Sequence, residues 1–213
     1  MALRLAVGQV PAHLGPAARM GWLESALAEL DADLLLLPEL FACGYNIGEG
    51  LGQFAEAADG PIAAKMADLA HRFGIALHYG YAERVGDIIH NSAQCFGPDG
   101  AVLGRHRKLV LPPGFEREVF AVGQGCELFS YRGFRIATLI CFDAEFPETA
   151  RHVATLGADL ILVPTALGAD WGWVARQMIP TRGFENGVFF AYANSAGVEN
   201  GMSFLGESFI AAP

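Results

Sequence analysis

Short apolar runs alternate along this chain with stretches whose apolar residues recur every three or four positions, as expected of strands interleaved with helices. Leu3 to Val10 reads as a first strand. Beyond Pro16, the side chains Met20, Leu23, Leu27 and Leu30 fall at helical spacing. Asp33 to Pro38 (DLLLLP) is a continuous apolar run, which predicts a strand buried on both faces. Pro61 suits the first turn of a second helix, striped by Ile62, Met66, Leu69 and Phe73. Three further strands are predicted at Ile75 to Ala82, Asp87 to Phe96 and Ala101 to Lys108, joined by the turn-like ERVGD and GPDG. Leu109 to Glu127 has little periodicity, and loops of that length usually carry function. A hairpin through Tyr131, Arg132 and Gly133 then leads into a strand from Arg135 to Ile140. A helix is expected from near Pro147 to Gly157, then a strand from Asp159 to Val163 and a helix–strand pair between Trp171 and Asn194. Ser203 to Ala211 reads as one last strand. The chain shows no linker or internal repeat, so the pattern predicts a single layered α/β domain.

Composition narrows the function classes. A chain of 213 residues with 53% hydrophobic and 17% charged positions can bury a sizeable core and is not of the disordered type. A net charge of −9 with no Lys/Arg run argues against a nucleic-acid partner. The longest continuous apolar run, Leu34 to Leu37, is far too short to cross a bilayer, and the first residues (MALRLAVGQVP) show no secretory pattern. Cys43, Cys95, Cys126 and Cys141 lack the spacing of a disulfide framework or a zinc site, so a reducing cytoplasm is the expected location.

Candidate chemistry starts at Cys141. It follows the strand RIATLI and precedes the helix at Pro147, a turn where helix N–H groups are expected to lower a thiol pKa. A cysteine after an apolar strand is by itself more often core, but the acidic neighbours Asp143, Glu145 and Glu148 favour a functional turn. Of the six histidines only His106 has a place from which it could face that turn. Glu39 is the better base, because it ends a buried strand at the edge where parallel sheets bind ligands, and desolvation there raises a carboxylate pKa. Lys108 ends another strand. Alone, each of these residues has a bland alternative as a cap or a solvated charge.

In combination they point further. LLLLPELFACGY, GRHRKLVLPPGFEREVF and IATLICFDAEFPE, in this order, resemble the three signature blocks of the nitrilase superfamily of carbon–nitrogen hydrolases. The similarity extends through RGFENGVFFAYAN to the terminal GESFIAAP. The resemblance implies a four-layer α-β-β-α sandwich in which Glu39 is the base, Cys141 the nucleophile and Lys108, with the Phe142 N–H, the oxyanion stabiliser. Glu116 matches the second family glutamate, expected to orient Lys108 and the substrate. Phe142, Glu145, Tyr45 and Trp171 are the expected substrate contacts.

By this reading the chain is an amidase of the Glu-Lys-Cys type, needing neither metal nor organic cofactor and acting on a small-molecule amide. An acidic Glu145, at a position where relatives acting on carboxylate-bearing substrates commonly carry arginine, favours neutral or basic amides; the alternative is that it only starts the following helix, where the dipole favours an acid. The family usually pairs into dimers or larger forms, so the resemblance implies a homodimer or higher homo-oligomer. Its chains normally continue past GxSxIxxP into a further strand and tail, which this sequence is expected to lack. The rival readings are a nitrilase acting on C≡N, an N-carbamoyl amidohydrolase, and an idle interaction module that keeps only the fold.

Overall fold

Two five-stranded sheets lie face to face, with helices on both outer faces. The structure, a computed structural model, describes residues 2–213 apart from the side chain of Glu49. The first half of the chain builds β1 (Leu5–Val7), α1 (Pro16–Glu29), β2 (Leu34–Leu36), α2 (Pro61–Phe73), β3 (Ala76–Val85), β4 (Ile88–Phe96) and β5 (Val102–Arg107). These strands form one sheet in the order β1-β2-β3-β4-β5. The second half adds α3 (Phe115–Val119), β6 (Phe129–Tyr131), β7 (Phe134–Thr138), α4 (Pro147–Thr155), β8 (Leu160–Thr165), α5 (Ile179–Asn186), β9 (Phe189–Asn194), β10 (Ala196–Glu199), β11 (Met202–Leu205) and β12 (Phe209–Ala211). Its sheet runs β12-β9-β8-β7-β6, and β10 and β11 form a separate hairpin.

The strand period of two sorts side chains into layers. On β2, Leu34 and Leu36 point between the sheets against Leu160, Leu162, Ala191 and Ala193. Leu35 and the adjoining Leu37 point outwards onto Leu23 and Leu27 of α1 and Met66 and Leu69 of α2. Ile161 and Val163 of β8 likewise face the α4 and α5 side through Val153 and Ile179. The DLLLLP run therefore has no polar alternation because both of its faces are core. The result is the four-layer α-β-β-α sandwich.

Helix boundaries follow local chemistry. Proline opens α1, α2 and α4, where its missing N–H costs nothing. Gly74 ends α2 at φ 65°, a left-handed cap.

Several predicted elements differ in detail. The first strand is only Leu5–Val7, and the loop after Lys108 contains the short helix α3. The strand expected up to Ile140 ends at Thr138, and Cys141–Glu145 forms a 3-10 turn before α4. Between Trp171 and α5 the chain passes through a π turn, Val174–Met178. The single strand expected over Ser203–Ala211 is two, β11 and β12, broken where Gly206 and Glu207 take φ values of 69° and 50°.

One close backbone approach sets the position of Glu39. A Cβ on Gly80 of β3 would lie 2.4 Å from the Leu40 N and 2.9 Å from the Glu39 Cα, so only glycine lets the turn after β2 settle onto β3. Gly80→Ala should therefore shift that turn and lower stability by roughly 1–3 kcal/mol, the usual cost of overpacking. A urea midpoint equal to that of the parent protein would show that the turn has slack.

Candidate active site

Strand ends from both sheets converge on a buried charged cluster. Pro38 and Glu39 follow β2, Lys108 follows β5, Glu116 lies on α3 and Cys141 follows β7. Lys108 is 0% exposed, and Glu39 and Glu116 are each 1% exposed. Charges this far from water need partners. Lys108 Nζ donates to Glu39 Oε1 at 2.7 Å and to both Glu116 oxygens at 2.8 Å. The Tyr45 hydroxyl donates to Glu116 Oε1 at 2.6 Å. Asn91 Nδ2 donates to Glu39 Oε1 at 2.7 Å and to Glu116 Oε2 at 3.3 Å. Oε2 of Glu39 is buried and takes no hydrogen bond from any described residue.

The backbone on both sides of the cluster is held in unusual geometry. Leu40, next to Glu39, has φ 49°, and Cys141 has φ 47°; both are left-handed conformations that disfavour a side chain. The Glu39 N–H donates across the sandwich to the Thr165 carbonyl at the end of β8. Cys141 is 9% exposed and packs against Ala93 of β4 and Ile140.

Burial raises the Glu39 carboxyl from 4.5 to about 7, with Glu116 adding to the rise while Lys108 and Asn91 oppose it. Burial alone would pull the Lys108 ammonium down, but Glu39, Cys141 and Glu116 outweigh it and hold the charge in place. The Cys141 thiol is pushed well above its ordinary range by burial and by Glu39, against the opposing pull of Lys108, the Thr165 hydroxyl and the Ala166 backbone. This corrects the low-pKa thiol expected from the sequence. The 3-10 turn separates Cys141 from the start of α4, and a neighbouring carboxylate in a dry site favours the neutral thiol. A thiol so placed needs a base.

His106 is not positioned to be that base. Its Nε2 faces Asp143 Oδ2 at 3.1 Å. Asp143 also accepts from the N–H groups of Leu109, Val110 and Ile140 at 2.9, 2.8 and 3.0 Å. One buried carboxylate thus ties the backbone just after Lys108 to the backbone just before Cys141.

The expected substrate contacts separate. Tyr45 stands at the cluster, yet its hydroxyl is taken by Glu116. Phe142 is half-buried with its ring edge-on to Phe146 at 5.0 Å. Glu145 is half-buried; burial raises its pKa and the charge of Lys108 opposes the rise. Trp171, by contrast, is 65% exposed on a 3-10 turn, Ala169–Trp171, that follows β8. That turn carries its ring to the surface, so the structure does not bring Trp171 into the cluster. Asn91 was not among the residues expected at the site, and Asp143 was expected only as an acidic neighbour of Cys141. The only signal for Asn91 was an amide at a core-facing parity of β4, in line with Ala93 and Cys95. Among the described residues no three His, Cys, Asp or Glu side chains are grouped to hold a metal ion, and no helix is long and apolar enough to cross a membrane.

Residues 4–213 match the carbon–nitrogen hydrolase family. The chain belongs to that family. A carbon–nitrogen hydrolase of this kind has relatives with several activities. It is 44% identical over 191 residues to a Pseudomonas protegens protein named hydrolase in pqqF 5'region, covering 88% of this chain and 67% of that one. It is 37% identical to a nitrilase of Pyrococcus abyssi (85% of this chain, 69% of that protein). An (R)-stereoselective amidase of a Pseudomonas species is 34% identical (86% and 66%). The chain therefore spans about two thirds of the length of these relatives. Among solved structures, it is similar to a variant of the amidase from Nesterenkonia sp. that carries acrylamide added at its active-site cysteine. The TM-score is 0.91 at 31% identity, covering 100% of this chain and 86% of that one.

The carbon–nitrogen hydrolase site yields a pH prediction. Below about pH 7 Glu39 holds a proton and cannot accept another, so alkylation of Cys141 by iodoacetamide should slow as pH falls through that value. In Glu39→Gln the step should vanish, and the rate at pH 8 should drop at least about tenfold. Peptide mapping that finds the same pH profile in both proteins would separate the thiol from Glu39.

Proposed function

We propose that this protein hydrolyses the carbon–nitrogen bond of a small linear amide through a thioester on Cys141. One observation carries the proposal: an ammonium clamped between two buried glutamates, beside a cysteine in a left-handed turn. Lys108 has three N–H bonds; one goes to Glu39 and one is shared by the two Glu116 oxygens, which leaves the third for substrate.

In the first half-reaction Glu39 Oε2 accepts the thiol proton and Sγ attacks the amide carbon. The carbonyl oxygen becomes an oxyanion, stabilised by the third Lys108 N–H and the Phe142 backbone N–H. Collapse breaks the C–N bond, and the proton held by Glu39 goes to the departing nitrogen, which leaves as ammonia or an amine. In the second half-reaction Glu39 removes a proton from water, whose oxygen attacks the thioester carbon. The C–S bond breaks, Glu39 returns the proton to sulfur and the carboxylic acid departs. Every proton and electron pair is carried by site residues, substrate or water. A Glu39 proton affinity balanced near neutrality suits a group that must take and return a proton in each half-reaction.

Glu116, saturated by Tyr45, Lys108 and Asn91, serves to aim the ammonium. The half-buried Glu145 carboxylate disfavours an anionic substrate, since like charges in a poorly solvated site cost several kcal/mol. Neutral amides and amides with a free amine fit best. The similarity to proteins named amidase supports this reading. The similarity to one named nitrilase is the reason to include nitriles in the test.

Ammonia release should be measured with small neutral amides, amino-acid amides, ω-amides of dicarboxylic acids, N-carbamoyl compounds and nitriles. Neutral and amine-bearing amides should turn over fastest, and Cys141→Ala should lower their turnover at least roughly a thousandfold without loss of fold. Absence of amide turnover, or survival of turnover in Cys141→Ala, contradicts the proposal.

A further inference from the structure

Asn91 makes more connections to the cluster than any pairwise role requires. Its backbone carbonyl accepts from the Lys108 N–H at 2.8 Å, which fixes the root of the lysine. Its side-chain nitrogen has two hydrogens, and both are used, one on Glu39 Oε1 and one on Glu116 Oε2. It is fully buried on β4, on the inward parity shared with Ala93, against which Cys141 packs. Reversing the amide would set its oxygen against two carboxylates, so the chemistry of the neighbours dictates its orientation.

We infer that Asn91 is the positioning residue that gives the two buried glutamates different roles, by pinning Oε1 of Glu39 so that Oε2 alone remains to take the thiol proton. This rests on the proposed amide hydrolysis. With Lys108 and Asn91 both at 2.7 Å, Oε1 of Glu39 is saturated by strong donors, whereas Oε2 has none. Glu116 is bonded at both oxygens and has no such free atom. The asymmetry between the two acids therefore follows from where the Asn91 and Tyr45 donors fall. A neutral amide suits the position. An arginine or lysine would add a second buried cation and make Glu39 too weak a base, while an aspartate would add a third buried carboxylate and keep Glu39 protonated.

The titratable groups facing the Glu39 carboxyl are Lys108 after β5 and Glu116 on α3, which act on it, and Cys141 after β7, Tyr45 in the turn after Glu39 and Tyr192 on β9, on which its charge acts. The Asn91 donor helps Lys108 to lower the proton affinity that burial raises. Its loss should raise that affinity further.

The test compares Asn91→Ala and Asn91→Asp with the parent protein, following kcat/KM for an accepted amide and the iodoacetamide rate at Cys141 from pH 5 to 9. The acid limb of both profiles should move up by about one pH unit in Asn91→Ala and further in Asn91→Asp. At pH 6 the activity of Asn91→Ala should fall about tenfold, with recovery towards the parent value at pH 9. Equal losses at every pH, or unfolding of both variants, would make Asn91 a packing residue only and overturn the inference. If the parent protein turns over no amide, the hydrolase reading fails instead, and the alkylation profiles still decide the role of Asn91.

Discussion

The ammonium of Lys108 is held out of water by two carboxylates that belong to different parts of the chain. That arrangement constrains everything around it. Desolvating three charges is costly, and such a cluster adds little net stability against an apolar core of the same shape. Removing Lys108, however, leaves two buried carboxylates without their counter-ion, at a cost of roughly 3–5 kcal/mol. The strand ends must therefore meet closely. Gly80 lets the turn carrying Glu39 lie against β3, and Asp143 ties the segment after Lys108 to the turn before Cys141. The sandwich is the frame that makes these approaches possible, because each sheet delivers its strand ends to the same edge.

The electrostatics come from that frame. A dry site lifts the proton affinity of Glu39 to near neutrality and raises that of the Cys141 thiol, so that sulfur stays protonated until a base acts on it. In the proposed mechanism the same dryness strengthens the Lys108 N–H offered to a developing oxyanion. Base strength, nucleophile protection and charge stabilisation thus have, in that mechanism, one origin in burial.

Much of this was legible in the sequence. The DLLLLP run announced a strand with two apolar faces, and prolines marked the starts of the first, second and fourth helices. Ordered blocks around Glu39, Lys108 and Cys141 indicated the family. Other features depended on contacts between distant segments and left little local trace. The break between β11 and β12 arises from left-handed residues Gly206 and Glu207, and only the glycine hints at it. The thiol environment is set by Glu39, Thr165 and Ala166, all remote in sequence, so proximity to a helix start was a poor guide. Trp171 neighbours the site along the chain but turns to solvent, because a 3-10 turn follows β8. Asn91 reads as an ordinary strand residue until the two acids it bridges are seen together.

The most direct test of covalent catalysis at this cluster is mass spectrometry of the protein quenched in acid during turnover of a small amide. An acyl group should appear on the peptide bearing Cys141, be released by hydroxylamine as a thioester is, and be absent in Lys108→Met. An acyl adduct on Cys43, Cys95 or Cys126 instead, or rapid turnover with no acyl group on Cys141 at any quench time, would contradict it.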